Sequence, residues 1–324
     1  MVRTAYVFIG LAVLLLFGCE KEITVDVPDA EPKVVVQGSI EQNQPPFVML
    51  TWSQGYFDPI DLNGFADLMV RGAVVTVSDG VNTVQLDEIC SSDVPEDLLP
   101  LVTELTGFSI DQLAAADICI YTTFNQAIWG QPNTVYDLTV VVENKTLTSR
   151  TKINTPQALD SVWFETPGTS DSLGFAFATL TDPDTLGNAY RWFARRINHY
   201  PSWSIHAGEV KDPTFIAPIG SAYDDGFFNG LSFEFAYYRG TLPNSNKEDD
   251  VNEENSFFKI GDTIAVRGTV IDRGAYAFIS SFENQVSGQG SPFASPANVL
   301  TNINGGLGAW IGYAATYDTI ICVE

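Results

Sequence analysis

Few side chains in this sequence are of the kinds that do chemistry. Two histidines, His199 and His206, stand seven residues apart around Tyr200-Pro201-Ser202-Trp203-Ser204-Ile205. Histidine is the usual proton carrier near neutral pH. A zinc site would need further ligands at usable spacing, and no cysteine lies near this pair. No Gly-x-Ser-x-Gly, His-Glu-x-x-His or phosphate-cradling glycine loop occurs. The 40 acidic residues always offer pairs that resemble a glycosidase dyad, so their abundance indicates nothing by itself. Asp182-Pro183-Asp184, Asp224-Asp225-Gly226 and Glu248-Asp249-Asp250 could lend oxygens to calcium, but none has alternating ligands with a closing glutamate. Turn chemistry and solubilising charge account for them better. The expectation is a protein that is not an enzyme and holds no cofactor.

Aromatic side chains are better placed for recognition. Tyr190, Trp192, Phe193, Tyr200 and Trp203 crowd one stretch, with Arg191, Arg195 and Arg196 between them. Trp52, Tyr56 and Phe57 end an apolar run nearer the start. Exposed rings beside arginine serve sugar stacking and protein interfaces. Strict alternation, as in Tyr190 to Arg195, more often separates a buried strand face from a solvated one. Trp192 is therefore expected in a core, whereas Trp52, Tyr56, Phe57 and Trp203 are the candidates for binding a partner, sugar or peptide.

The four cysteines divide by position. Met1-Val2-Arg3-Thr4 is a short basic start, and Ala5 to Phe17 is almost wholly apolar. As a helix these 13 residues reach about 20 Å, short of a ~30 Å hydrocarbon core. This is the pattern of a signal peptide over 1–18. Leu16-Phe17-Gly18-Cys19 resembles the bacterial lipobox, which makes Cys19 the expected lipidated first residue. Two or three acyl chains would hold the protein to its membrane. Cys90 and Cys119 flank a segment that departs from the surrounding pattern, and an oxidising envelope would join them. Cys322 is then left over as a small buried apolar residue, although its pairing with either of the others is the rival arrangement.

Composition bounds the rest. A net charge of −24 with 12% aromatic and 17% charged residues excludes a disordered acidic chain. It also argues against nucleic acid, which needs a basic face. The length of 324 residues suits two domains.

The elements are mostly strands. Residues 19–32 form a tether, with the spread acidic residues Glu20, Glu22, Asp26 and Asp29. Val, Ile, Thr and aromatic runs bounded by turn residues predict strands at 33–41, 47–53, 71–79, 82–86 and 136–143. Asp79-Gly80 supplies the positive φ of one hairpin, and Asn144 is placed in a second turn. Apolar residues three and four apart over 95–116 predict short helices, the second capped by Ser109. Thr151 to Ala158 is the expected crossing between an Ig-like antiparallel sandwich at 33–155, with that helical insertion, and an all-β domain at 156–324. The second domain has expected strands at 161–165, 174–180, 189–198, 263–272, 276–283, 309–316 and 320–323.

Several phrases together carry a resemblance. They include Cys19-Glu20-Lys21-Glu22-Ile23, Lys33-Val34-Val35-Val36-Gln37-Gly38, Leu50-Thr51-Trp52-Ser53-Gln54-Gly55-Tyr56-Phe57, Leu159-Asp160-Ser161-Val162-Trp163-Phe164, Tyr190-Arg191-Trp192-Phe193 and Asn302-Ile303-Asn304-Gly305-Gly306-Leu307-Gly308. The chain resembles a Bacteroidota envelope lipoprotein family catalogued as a domain of unknown function, number four-two-four-nine. Such proteins are often encoded beside TonB-dependent receptors. The resemblance implies an outer-membrane lipoprotein that is an accessory or binding subunit of a TonB-dependent β-barrel transporter. The acidic residues after Cys19, which also suit a solvated tether, resemble the stretch that sends some Bacteroidota lipoproteins to the cell surface. A free-standing binding or adhesion module is the alternative, and an envelope hydrolase a distant one. The expected contact loops are 52–57 and 287–308. Ser161, Ser172, Thr185, Thr263 and Thr319 each lie in an Asp-Ser/Thr-apolar triplet resembling the O-glycosylation acceptor of such envelopes, a pattern that a turn followed by a strand also produces.

Overall fold

The computed structural model describes residues 31–55, 62–197, 212–240, 257–288 and 298–323, apart from single positions 107, 169, 171 and 213. An eight-stranded sheet runs in the order β12 (Ala222–Asp224), β11 (Ala189–Arg196), β15 (Thr263–Ile271), β16 (Leu307–Ile321), β1 (Val34–Glu41), β2 (Phe47–Trp52), β6 (Cys119–Thr122) and β5 (Asp87–Cys90). Its strands pair antiparallel except at the centre, where β16 lies parallel to β1 from Val35 opposite Leu307 to Glu41 opposite Tyr313. A second sheet, β4 (Thr83–Gln85), β3 (Val74–Ser78), β7 (Thr134–Val142) and β8 (Lys145–Ile153), sets two hairpins side by side through the antiparallel β3–β7 pair. The third holds β13 (Ser232–Tyr237), β10 (Leu173–Thr181) and β14 (Phe258–Lys259), with β9 (Ser161–Glu165) pairing with β10.

Alternation decides the layers. Even-numbered residues of the large sheet, such as Val36, Leu50 and Trp310, form one core with Val75, Leu138 and Leu147 of the second sheet. Farther along the same face, Trp192, Ile264 and Val266 meet Ala176, Ala178 and Phe258. Odd-numbered residues Phe193, Ile311 and Tyr313 pack instead beneath Ala275 and Ile279 of a helix. Ala309 to Ala315 are consecutively buried in β16 because both faces of that strand are covered. The mostly β, sandwich-like class is as expected.

Three expectations change. The boundary at 155/156 does not separate two sheets: β16 from the end of the chain inserts between β1 and β15, and Pro32–Glu324 forms one unit. The residues expected as a strand at 276–283 belong to a helix, Arg273–Gly288. Asp272 caps it, its Oδ1 accepting from the Ala275 N–H at 2.8 Å. Ala275, Phe278, Ile279 and Phe282 recur at helical spacing, which the β-favouring run Phe278-Ile279 disguised. The last two expected strands are one, because nothing between Thr316 and Ile320 breaks the pairing with β15.

The insertion forms as the spacing indicates. Helices α1 (Leu62–Asp67), α2 (Leu99–Thr106) and α3 (Ile110–Ala115) precede α4, the helix at Arg273–Gly288. Ser109 and Gln112 make a reciprocal capping box at the start of α3. Leu113, Ala116 and Ile118 then pack on Met49 and Cys119. The hairpin at Asp79-Gly80 has Gly80 at φ +88°, whereas in the second hairpin Glu143, just before the expected Asn144, takes φ +53°.

Candidate functional site

The alternation at Tyr190 to Arg196 sorts two faces. Trp192 is 1% exposed and meets Phe235 edge-on at 5.8 Å, so it is core. Arg191, Phe193 and Arg195 point to the other face, beside Arg267 of β15, which is in register with Phe193. The Arg267 guanidinium stands 4.4 Å from the Phe193 ring centre, 4.8 Å from Tyr313 and 6.0 Å from Phe215. Arg191 lies 5.0 Å from Phe193, and Arg195 4.7 Å from Phe215. Such contacts draw the cation to the negative face of a ring.

Two carboxylates enter from distant elements. Glu41, at the end of β1, takes an ion pair from Arg267 and a hydrogen bond from the Tyr317 hydroxyl. Glu283 of α4 lies 3.7 Å from Arg191 and accepts from the Gly220 N–H at 2.9 Å. The Nε atoms of Arg191 and Arg267 have no hydrogen-bond partner among the described residues. Burial raises the Tyr317 hydroxyl to about 12, with Arg267 opposing the rise, so the phenol stays a donor at neutral pH. The patch thus joins cations, rings and hydrogen-bonding groups from β1, β11, β15, β16 and α4. Only its β11 part was visible as a motif; Glu41, Phe215, Arg267, Tyr313, Tyr317 and Glu283 carried no sequence signal.

The other candidates fall in various places. Trp52 is half-buried at the end of β2, with the Lys145 ammonium 5.3 Å from its ring. Cys19, Tyr56, Phe57, His199, Trp203, His206 and the Glu248-Asp249-Asp250 run lie outside the described residues. Cys90 and Cys119 form the expected disulfide, with Cα atoms 3.9 Å apart in directly paired positions of β5 and β6. Cys322 is a buried free thiol, pushed well above its usual range by desolvation. Ser161, Thr185 and Thr319 are exposed, and Ser172 and Thr263 half-buried.

The two described calcium candidates hold loops in place. Asp182 accepts from the Tyr190 hydroxyl, from Asn188 Nδ2 at 3.4 Å and from the Gly230 N–H at 3.0 Å. Asp225 accepts from the N–H groups of Gly187 and Asn188 at 2.6 and 2.8 Å. Among the described residues, one group of three potential metal-ligating side chains lies close enough together, Glu88 with Cys90 and Cys119. Its sulfurs are spent in the disulfide. An open groove of about 630 Å³ passes Phe164, Glu165, Ser170, Ile260 and Val323. Glu165 accepts from the Trp163 indole N–H at 2.8 Å, and the groove's described lining adds no second carboxylate.

In the expected contact loop 287–308, Gly306 and Gly308 face inward. A Cβ on Gly306 would meet Leu147 Cδ2 at 2.3 Å, and one on Gly308 would meet the Val36 carbonyl oxygen at 2.0 Å. The segment before β16 is pinned by Asn302, whose side chain bonds both backbone groups of Trp310.

Against known families, a model described as a domain of unknown function, DUF4249, matches residues 20–319. The chain belongs to the DUF4249 family. No curated protein matches it. The DUF4249 match spans the parallel β1–β16 pair and almost all of the patch-bearing sheet, so the unit described here is the family's domain. Among the described residues of this DUF4249 protein, no helix is long and apolar enough to cross a membrane.

Proposed function

We propose that the chain is a lipid-anchored outer-membrane protein that captures a ligand, without transforming it, as an accessory subunit of a TonB-dependent transporter. The observation that carries the binding reading is the cluster of Arg191, Arg195 and Arg267 against Phe193, Phe215 and Tyr313. Phe193 and Tyr313 are buried beneath α4 and Arg267 is paired with Glu41, so the half-buried Arg191 and Arg195 form its binding edge. Guanidinium groups steadied on rings recognise carboxylates and planar groups, which suits an acidic peptide or an acidic sugar. The anchor reading is supported by the Arg3, apolar-run and Gly18-Cys19 pattern. The transporter partner is carried over from the genes that such lipoproteins accompany.

Purification of the full chain from native membranes in mild detergent tests the assembly. A β-barrel receptor is expected with it, and Cys19→Ala should abolish both lipid attachment and co-purification. Repeated recovery of the lipoprotein alone would favour a free-standing binding or adhesion module. For the patch, acidic and neutral oligopeptides and uronate oligosaccharides serve as probes. Binding confined to acidic probes and lost in Arg191→Gln is the expected result; equal binding of neutral probes would reject the patch as the site.

A further inference from the structure

A second surface lies at the edge strand β12. The loop 182–188 before β11 and the loop 225–231 after β12 are laced together by buried carboxylates. Asp225, 1% exposed, holds the Gly187 and Asn188 N–H groups of the neighbouring loop. Asp182, 2% exposed, holds Gly230 in return, and Asn229 Nδ2 reaches Asp184 at 3.2 Å. Burying a carboxylate is costly unless its hydrogen bonds are made, and here they are made to the backbone of the facing loop. The result is a braced double loop.

What the brace presents is apolar. Phe227 is 99% exposed, Leu186 73% and Leu231 57%. Its neighbour Phe228 turns inward, 4.0 Å from the Phe233 ring centre, so the two phenylalanines divide between anchoring and display. Single exposed apolar residues are ordinary on any surface. Leu186, Phe227 and Leu231 stand exposed on two loops held together by buried carboxylates, and apolar side chains held in this way can fill a pocket at the centre of an interface.

Charge selects the occupant. Asp160, Asp184 and Glu234 are exposed on the adjoining elements, and no lysine or arginine occurs in 182–190 or 225–238. Arg191 and Arg239, which bound these ranges, are 19% and 0% exposed, and Arg273 is paired with Asp224 at 2.9 Å. An acidic rim opposes approach to anionic lipid and suits a protein pocket rimmed by lysine or arginine. We propose that Leu186, Phe227 and Leu231 dock into an apolar, basic-rimmed pocket of a partner protein. This surface is separate from the ligand patch, and it rests on the accessory-subunit reading only for the partner's being a barrel.

The test uses the full lipoprotein in its native membrane, with a photo-reactive residue at position 227, 186 or, as a control equally apolar and exposed, 81. Adducts with one β-barrel protein from 227 and 186 but not 81 are expected. Phe227→Ser should then weaken binding of that purified barrel about tenfold, as loss of an interface anchor does. The same adducts with a protein of another class, and the same weakening, would uphold the docking surface and overturn the accessory reading. A barrel that co-purifies with no adduct at 227 would overturn the docking surface and leave the accessory reading standing. Adducts with lipid, or equal labelling from 81, would overturn the docking proposal.

Discussion

Glu41 and Arg267 form an ion pair although they stand 226 residues apart in the sequence. Their side chains are 14% and 12% exposed, so neither charge is well solvated. Removing one leaves the other nearly buried and uncompensated, which costs about 3 kcal/mol. Arg267→Met should show that loss in urea unfolding, and the double change with Glu41→Gln should recover part of it. Additive losses in the mutant cycle would mean that the pair is uncoupled.

The Cys90–Cys119 bridge closes a loop with a sequence separation of 29. In the chain-entropy model such a closure stabilises by about 3–4 kcal/mol. Because the loop holds α2 and α3, its reduction should release those helices before the eight-stranded sheet. Hydrogen exchange after the double change Cys90→Ser and Cys119→Ser should show lost protection over 91–118 with β15 and β16 retained. Uniform loss across the chain would contradict this.

Gly80 and Gly308 both have positive φ, +88° and +93°, yet their substitutions should differ. Around Gly80 nothing lies within 4 Å of a built Cβ, whereas at Gly308 the Val36 carbonyl oxygen is 2.0 Å away. Gly80→Ala should cost about 1 kcal/mol, the backbone penalty alone. Gly308→Ala should prevent the β1–β16 pairing and yield insoluble chain. Soluble expression and thermal melting of the two variants check the contrast.

Asp117 links Arg71 to the base of the insertion. Its carboxylate accepts from Arg71 at 2.7 Å and from the Ser92 N–H at 3.0 Å. The Arg71 hydrogen bond, with that of Ser92, lowers its pKa from 3.8 to about 2 against the opposing effect of burial. A depressed folded pKa gives stability that is present above the unfolded value and lost as pH falls through the folded one. The stability of the wild type should therefore fall between about pH 4 and 2 more steeply than that of Asp117→Asn. Matching slopes in acid titration of unfolding would exclude the linkage.

Local features were legible and distant ones were not. Strand alternation placed Trp192 in the core, and the Ser109 cap with its apolar spacing located α3, because both signals lie within a few residues. The disulfide was legible because its cysteines flank the segment that breaks the β pattern. Helix α4 was hidden by β-favouring residues whose burial against β11 and β16 overrode their propensity. The shared sheet was hidden because parallel pairing of β1 with β16 leaves no local trace. The patch was hidden for the same reason, its carboxylates arriving from β1 and α4.

The position of β16 also sets an order of events in folding. Its partners on either side, β1 and β15, cannot be joined until residues 307–321 exist. Contacts of such sequence separation raise the contact order and slow folding. Until residues 307–321 have been made, β1 and β15 each present an open edge to other chains. A chain truncated before Leu307 would keep both edges permanently, exposed to strand pairing with other chains.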